Sequence, residues 1–194
     1  MMEACLVATK RTKGSAFERF ISTRLSKWWS HGKHDDLAWR TAGSGGRATR
    51  RGDRRTQNHY GDIGPTDDSM KPFFSLFAVE LKFGYSKFSP YDMLDSIRGF
   101  GQLGKWWDKL LKTTKKAKAE WPMMVWRRNG KQEVVIIPIV AAKELRPDRE
   151  LIDHDCCLIR MDTYRLFLTP LDRFLDLVTP GNVRTVHARL TRSS

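Results

Sequence analysis

The stretch "FAVELKFGY", residues 77–85, decides how this chain is read. Phe77, Val79, Leu81 and Phe83 alternate with Ala78, Glu80 and Lys82, and a period of two is the mark of a strand, here running over 75–83. One face is apolar throughout and belongs to a core. The other sets a carboxylate and an ammonium about 7 Å apart along the strand. By itself that second face reads as a solvated surface. The residues upstream give it another meaning.

Asp62, in "YGDIG", stands eighteen residues before Glu80. Between them "PTDDSMKP", residues 65–72, has the composition of a turn. Residues 61–83 therefore read as a β-hairpin with a long loop, and cross-strand pairing brings Asp62 beside Glu80. Two carboxylates that close repel each other unless a proton or a cation lies between them. Their hard oxygens suit Mg²⁺, which takes one or two carboxylates and keeps several waters. Lys82, on the same face as Glu80, can orient or deprotonate an attacking water or stabilise charge on a phosphorane-like state. Together the three residues form a set for phosphodiester hydrolysis.

Further outward, residues 1–13 read as a flexible N-terminal tail. A helix follows over about 15–30, with Phe17, Phe20, Ile21, Leu25, Trp28 and Trp29 as its buried stripe. "LAWRT", residues 37–41, reads as a short strand. The Gly- and Arg-rich segment "AGSGGRATRRGDRRTQNHYGD" is too long for a plain connection, so it is either functional or disordered. "FSPYDMLDSIRG", residues 88–99, reads as a short helix. A longer one spans about 102–118, with Leu103, Trp106, Trp107, Leu110 and Leu111 on one side. "WPMMVWRRNGKQEVVIIPIV" is a hairpin turning at Asn129-Gly130. Two short strands, "CLIRM" and "YRLFLT", precede a helix over 170–178, and residues 179–194 read as a basic C-terminal tail. The order of elements gives an α/β fold, a mixed central sheet flanked by helices, with residues 14–178 as a single domain.

The 194 residues carry a formal net charge of +13. Such an excess fits a partner with a phosphate backbone. A membrane partner is not indicated, since neither a spanning run nor a basic amphipathic helix with a free apolar face is present. Cys5, Cys156 and Cys157 are odd in number and make no disulfide framework. With no secretory signal at the N-terminus, the expectation is a cytoplasmic, reducing compartment. "HDCC" lacks the second pair of ligands that a zinc set needs. Arg40, Arg47, Arg50, Arg51, Arg54 and Arg55 cluster around glycines that let a backbone approach phosphate. Lys105, Lys109, Lys112 and Lys116 make one stripe on the helix 102–118, opposite its Trp and Leu face. Both read as phosphate contacts, with a solvated loop and a solvated helix face as the plain alternatives.

Asp62 followed by Glu80-Leu81-Lys82 resembles the D…(D/E)xK signature of the PD-(D/E)xK nuclease superfamily. The resemblance covers roughly residues 15–140. Gly61 stands where the signature has Pro, and the segment 84–99 is extra. Glu18 matches the glutamate these nucleases often carry on the first core helix, and Gln102 matches a glutamine of the helix after the ExK strand. "RTAGSGGRATRRG", with Ser44, is similar to the loop of archaeal-type and phage Holliday-junction resolvases. The resemblance implies a restriction-endonuclease-like fold and metal ligation at Asp62, Glu80 and Leu81, with Mn²⁺ able to substitute for Mg²⁺. It further implies catalytic roles for Lys82, Glu18 and Gln102, DNA contacts from the loop with Ser44, Arg47, Arg50 and Arg51, branched DNA as substrate, and a homodimer; the stripe of Lys105, Lys109 and Lys112 is read as DNA-binding from its spacing alone. No organic cofactor is implied. Read as residues alone, Ser15 and Glu18 also fit a capping box, and Gln102 also fits a helix surface. Candidate dimer surfaces are the hairpin 122–140, with Met123, Met124 and Trp126 opposite Val134–Ile137, and the helix around Phe174. The alternatives are a general or recombination-type nuclease of the same superfamily, or a nucleic-acid-binding protein without catalysis.

Overall fold

Strand residues 77–83 use both of their faces. The computed structural model describes residues 10–41, 60–85, 101–148, 156–161 and 164–192. In chain order its elements are α1 (Lys10–Trp29), β1 (Ala38–Arg40), β2 (Ile63–Pro65), α2 (Lys71–Leu76), β3 (Phe77–Phe83), α3 (Gly101–Ala117), β4 (Trp121–Arg127), β5 (Glu133–Pro138), α4 (Ile139–Leu145), β6 (Cys157–Met161), β7 (Tyr164–Pro170), α5 (Leu171–Leu177) and α6 (Pro180–Arg192). Five strands form one sheet in the order β3-β4-β5-β7-β6. β3 and β4 are parallel, and α3 lies in the connection between them, as a parallel pair requires a crossover. The remaining neighbours are antiparallel.

Alternation along the strands sorts side chains into two cores. Phe77, Val79 and Leu81 join Met123, Val125, Val135, Ile137 and Phe167 under α1, α2, α4, α5 and α6. Ala78, Met124, Ile136 and Leu166 meet Leu103, Trp106, Trp107 and Leu110 of α3. Each large apolar side chain fully buried this way contributes roughly 1.5–3 kcal/mol. Glu80 lies on the α3 side and is only 4% exposed. Its strand face is covered, so the solvated-surface reading does not hold.

The hairpin expected over 61–83 is not formed. β2 pairs antiparallel with β1, Arg40 opposite Ile63 and Ala38 opposite Pro65. Residues 68–70 form a 3-10 turn and 71–76 form α2, so the strand begins at Phe77 and not at 75. Asp67 caps the turn by accepting from the Ser69 amide at 2.8 Å, and Pro72 sits in the first turn of α2. Asp and Pro serve helix starts as well as reverse turns, which is why the segment reads both ways.

α1 begins at Lys10, earlier than expected. Ser15 is therefore inside the helix, and the capping-box reading of Ser15 and Glu18 falls. Phe17, Ile21, Leu25 and Trp29 form the buried stripe, while Phe20 is 42% exposed beneath the Arg24 guanidinium, 5.6 Å from its ring. Trp28 is half-buried and donates its indole N–H to the Leu175 and Val178 carbonyls. The segment read as a basic tail contains α6, whose Pro180, Val183 and Val186 are buried. Met123, Met124, Val135, Ile136, Ile137 and Phe174 are core residues, so the surfaces proposed for a dimer are largely consumed inside the molecule. The short helix expected at 88–99 lies outside the described residues. Among those described, no helix is long and apolar enough to cross a membrane.

Candidate active site

Asp62 reaches Glu80 by docking a single residue onto the open edge of β3. Its amide donates to the Val79 carbonyl at 2.8 Å. Its carboxylate accepts from the Leu81 amide at 2.7 Å. On its other side, the Thr41 amide donates to the Asp62 carbonyl at 3.0 Å, and the Thr41 hydroxyl donates to the Gly61 carbonyl at 2.6 Å. Gly61 makes this approach possible. Its φ is +101°, and a Cβ there would lie 2.6 Å from the Val79 oxygen. Proline, with φ held near −65°, could not take that conformation, so the departure from the superfamily pattern at this position has a backbone cause.

Glu80 and Lys82 leave β3 on the same side and form an ion pair. Lys82 is 13% exposed along its side chain, and its ammonium lies 5.9 Å from the centre of the Trp106 ring. Tyr85 packs edge-on against Trp106 at 4.5 Å, and Trp126 does so at 6.1 Å. A second ammonium, that of Lys109 on α3, stands 3.4 Å from the same Glu80 oxygen. Sequence reasoning placed Lys109 among phosphate contacts and missed this link. Its only signal is spacing: Lys109 follows Trp106 by three residues, one turn along the helix that covers Lys82.

The electrostatics of the pair are unbalanced. Burial, then the Glu80 charge, raises the Asp62 carboxyl from its ordinary 3.8 to about 6, against the opposing pull of the Leu81 amide and Lys82. Glu18 adds to the rise from α1. Its carboxylate is ion-paired with Arg40 of β1, so Arg40, expected among the phosphate contacts, instead meets a carboxylate here. Glu18 thus stands near the pair, as the resemblance implies. Gln102 sits exposed in the first turn of α3, two turns before Lys109, and makes no hydrogen bond to Asp62, Glu80 or Lys82 among the described residues. Lys105, Lys112 and Lys116 are exposed on α3, away from its Leu103, Trp107 and Leu110 face. Ser44, Arg47, Arg50 and Arg51 lie outside the described residues.

Among the described residues no three His, Cys, Asp or Glu side chains come together as a metal centre. What is present is two hard carboxylates with the Leu81 peptide between them. The Leu81 side chain is buried, which leaves only its main chain to serve an ion. Burial is the larger cause of the raised Asp62 carboxyl and the Glu80 charge the second; a divalent cation between the two carboxylates would relieve that repulsion. A separate cleft of about 850 Å³ lies between the far end of α1 and β1, lined by Trp29, His34, Trp39 and Arg184. It is roughly 16 Å along α1 from Glu18 and plays no part in the carboxylate site.

The family described as "Phage putative PDDEXK endonuclease" matches residues 9–185 of this chain. No curated protein and no solved structure matches it. The five-stranded mixed sheet between helices is the restriction-endonuclease-like arrangement that such a match carries.

Proposed function

Because the chain belongs to that phage PDDEXK endonuclease family, we propose that it hydrolyses DNA phosphodiester bonds with Mg²⁺, for which Mn²⁺ can substitute, and that it selects branched DNA of the Holliday-junction type. The observation that carries the reading is half-buried Asp62 beside buried Glu80, with Lys82 seated on Glu80. Asp62, Glu80 and the Leu81 main-chain oxygen would hold the ion. When bound, it supplies charge stabilisation for phosphoryl oxygens and acidifies a coordinated water.

The remaining work falls to the chain's own side chains. Lys82 is held at two points, the Glu80 carboxylate and the Trp106 face. A fixed ammonium there can orient the attacking water, or donate to a phosphate oxygen as charge develops, without reorganising. Trp106, backed by Tyr85 and Trp126, keeps bulk water from that ammonium. Glu18 raises the negative potential at Asp62 and so favours a cation. Lys105 and Lys112 on α3, with the Arg-rich loop, supply affinity for the phosphate backbone. A protein that only bound nucleic acid would have no need of two adjacent, mutually repelling carboxylates, one of them buried. Branch selectivity and a homodimer rest on the likeness of the Ser44 loop to that of junction resolvases.

Incubation of wild type and Glu80→Gln with a four-way junction, a linear duplex and single strands, in Mg²⁺ or in EDTA, tests the reading. Cleavage of the junction by wild type in Mg²⁺ alone is expected, with no product from Glu80→Gln. Equal cleavage by Glu80→Gln would refute the site. Equal cutting of linear duplex and junction would leave a general nuclease.

A further inference from the structure

Glu80 receives two ammonium groups on one oxygen, Oε1, and the two differ in how they are held. Lys82 is nearly enclosed, between Glu80 and the Trp106 ring. Lys109 is 70% exposed, and its contact with Glu80 is the longer one at 3.4 Å. Its neighbours one turn either way, Lys105 and Lys112, are exposed on the same helix. An ammonium on a long, solvated side chain is weakly tied to any one partner. A cation bound to Asp62 and Glu80 would repel both ammonium groups, and only Lys109 has open space to move into.

We propose that Lys109 is a displaceable counter-ion: it pairs with Glu80 while no divalent cation is bound, and turns to a DNA phosphate when one binds. This rests on the metal-dependent nuclease reading above. It makes the grip on DNA depend on occupancy of the carboxylates, and by linkage DNA favours metal binding through the same side chain. Lys82 stays at the site in both states, which separates the roles of two lysines that share one oxygen.

The test has one readout independent of cleavage, Mn²⁺ binding, and one that compares DNA binding with KM. Free Mn²⁺ is counted by electron paramagnetic resonance in DNA-free wild type, Lys109→Ala, Lys109→Arg and Glu80→Gln. Loss of a competing cation should make Lys109→Ala bind Mn²⁺ about two- to fivefold more tightly, while Lys109→Arg stays near wild type. Then the salt slope of DNA binding in EDTA is compared with the salt slope of KM in Mg²⁺. Lys109→Ala should leave the first unchanged and lower the second by about 0.9. Mn²⁺ affinity in Lys109→Ala equal to or below wild type overturns the proposal. So does an equal fall of both slopes, which would make Lys109 a plain phosphate contact. If Glu80→Gln binds Mn²⁺ as well as wild type does, the metal site itself is refuted and the role of Lys109 falls with it. Lys109 is exposed, so its replacement leaves the core untouched, which circular dichroism verifies.

Discussion

The Asp62 carboxyl is pushed up to about 6, first by burial and then by the Glu80 charge. In the metal-free protein the folded state therefore holds this proton more tightly than the unfolded chain does. The contribution of Asp62 to stability is fully present below the ordinary 3.8, is lost as pH rises through the interval to about 6, and changes no further above it. The full difference is on the order of 3 kcal/mol at most. Asp62→Asn, which cannot ionise, should be more stable than wild type by urea denaturation in EDTA at about pH 8, with the gain gone at about pH 4. Parallel stability profiles for the two proteins would show that Asp62 is not strained by its neighbours. Cleavage by Asp62→Asn should be absent at every pH. Next to it, Gly61→Ala forces a Cβ to within 2.6 Å of the Val79 oxygen at a φ that side chains rarely adopt. It should lower stability by roughly 1–3 kcal/mol and cut activity steeply, because the residue it displaces is Asp62. Wild-type activity in Gly61→Ala would refute the close docking on β3. Glu80 and Lys82 were legible in the sequence because a strand's period of two fixes which side chains share a face; Asp62 was expected beside Glu80 through a hairpin, and it arrives there instead by docking on the edge of β3. Lys109 was not legible, because its reach depends on how α3 is rotated over the sheet, which no local pattern encodes.

Among elements, those with strong periodicity came through: α3, the hairpin of β4 and β5 at Asn129-Gly130, and the strands β6 and β7 match their sequence patterns. Two elements were misread for one reason, that capping chemistry resembles loop chemistry. Asp67 and Pro72 open helical turns where a reverse turn was expected. In "TPGN" the Thr179 amide and hydroxyl both donate to the Asn182 side-chain oxygen, at 2.8 and 2.7 Å, a capping arrangement at the start of α6. Pro180, Val183 and Val186 at helical spacing were the signal available for that helix. α6 is thus part of the core, and Arg184 stacks on Trp29 at 4.6 Å. Val183→Ala should cost roughly 1–3 kcal/mol, read from the thermal midpoint. No change would mean that α6 adds little to the fold. For α3 the expected effect is on binding. Lys105→Ala with Lys112→Ala should lower the slope of log K against log salt by about 0.9 for each duplex-DNA phosphate that is no longer neutralised, and an unchanged slope would reduce this face to a solvated one.

At the scale of the whole molecule, two numbers bear on assembly. One chain carries a formal charge of +13, and only one Asp62–Glu80–Lys82 set occurs in it. Like-charged protomers repel, so a dimer of this protein in the absence of DNA needs a sizeable apolar interface to offset that repulsion. The surfaces that looked available in sequence, around Met123, Met124 and Phe174, are buried in the monomer. Exposed large apolar side chains on the described surface, among them Phe20, Trp39, Val140, Leu158 and Tyr164, are what it offers in their place. On the proposed reading, a polyanionic junction would supply the missing neutralisation and present two equivalent strands about a two-fold axis. Symmetric cutting then calls for two copies of the site held at once. The expectation is a dimer that depends on DNA: light scattering at micromolar concentration should give a mass near 22.5 kDa for the free protein in low salt. On a four-way junction made with phosphorothioate linkages, two protein masses should be added. High salt, which screens the repulsion between free protomers, should shift the free protein towards dimer if the apolar contact alone suffices. A single protein mass on the junction, together with equal cleavage of linear duplex, would remove both the dimer and the branched substrate and leave a monomeric endonuclease working one strand at a time.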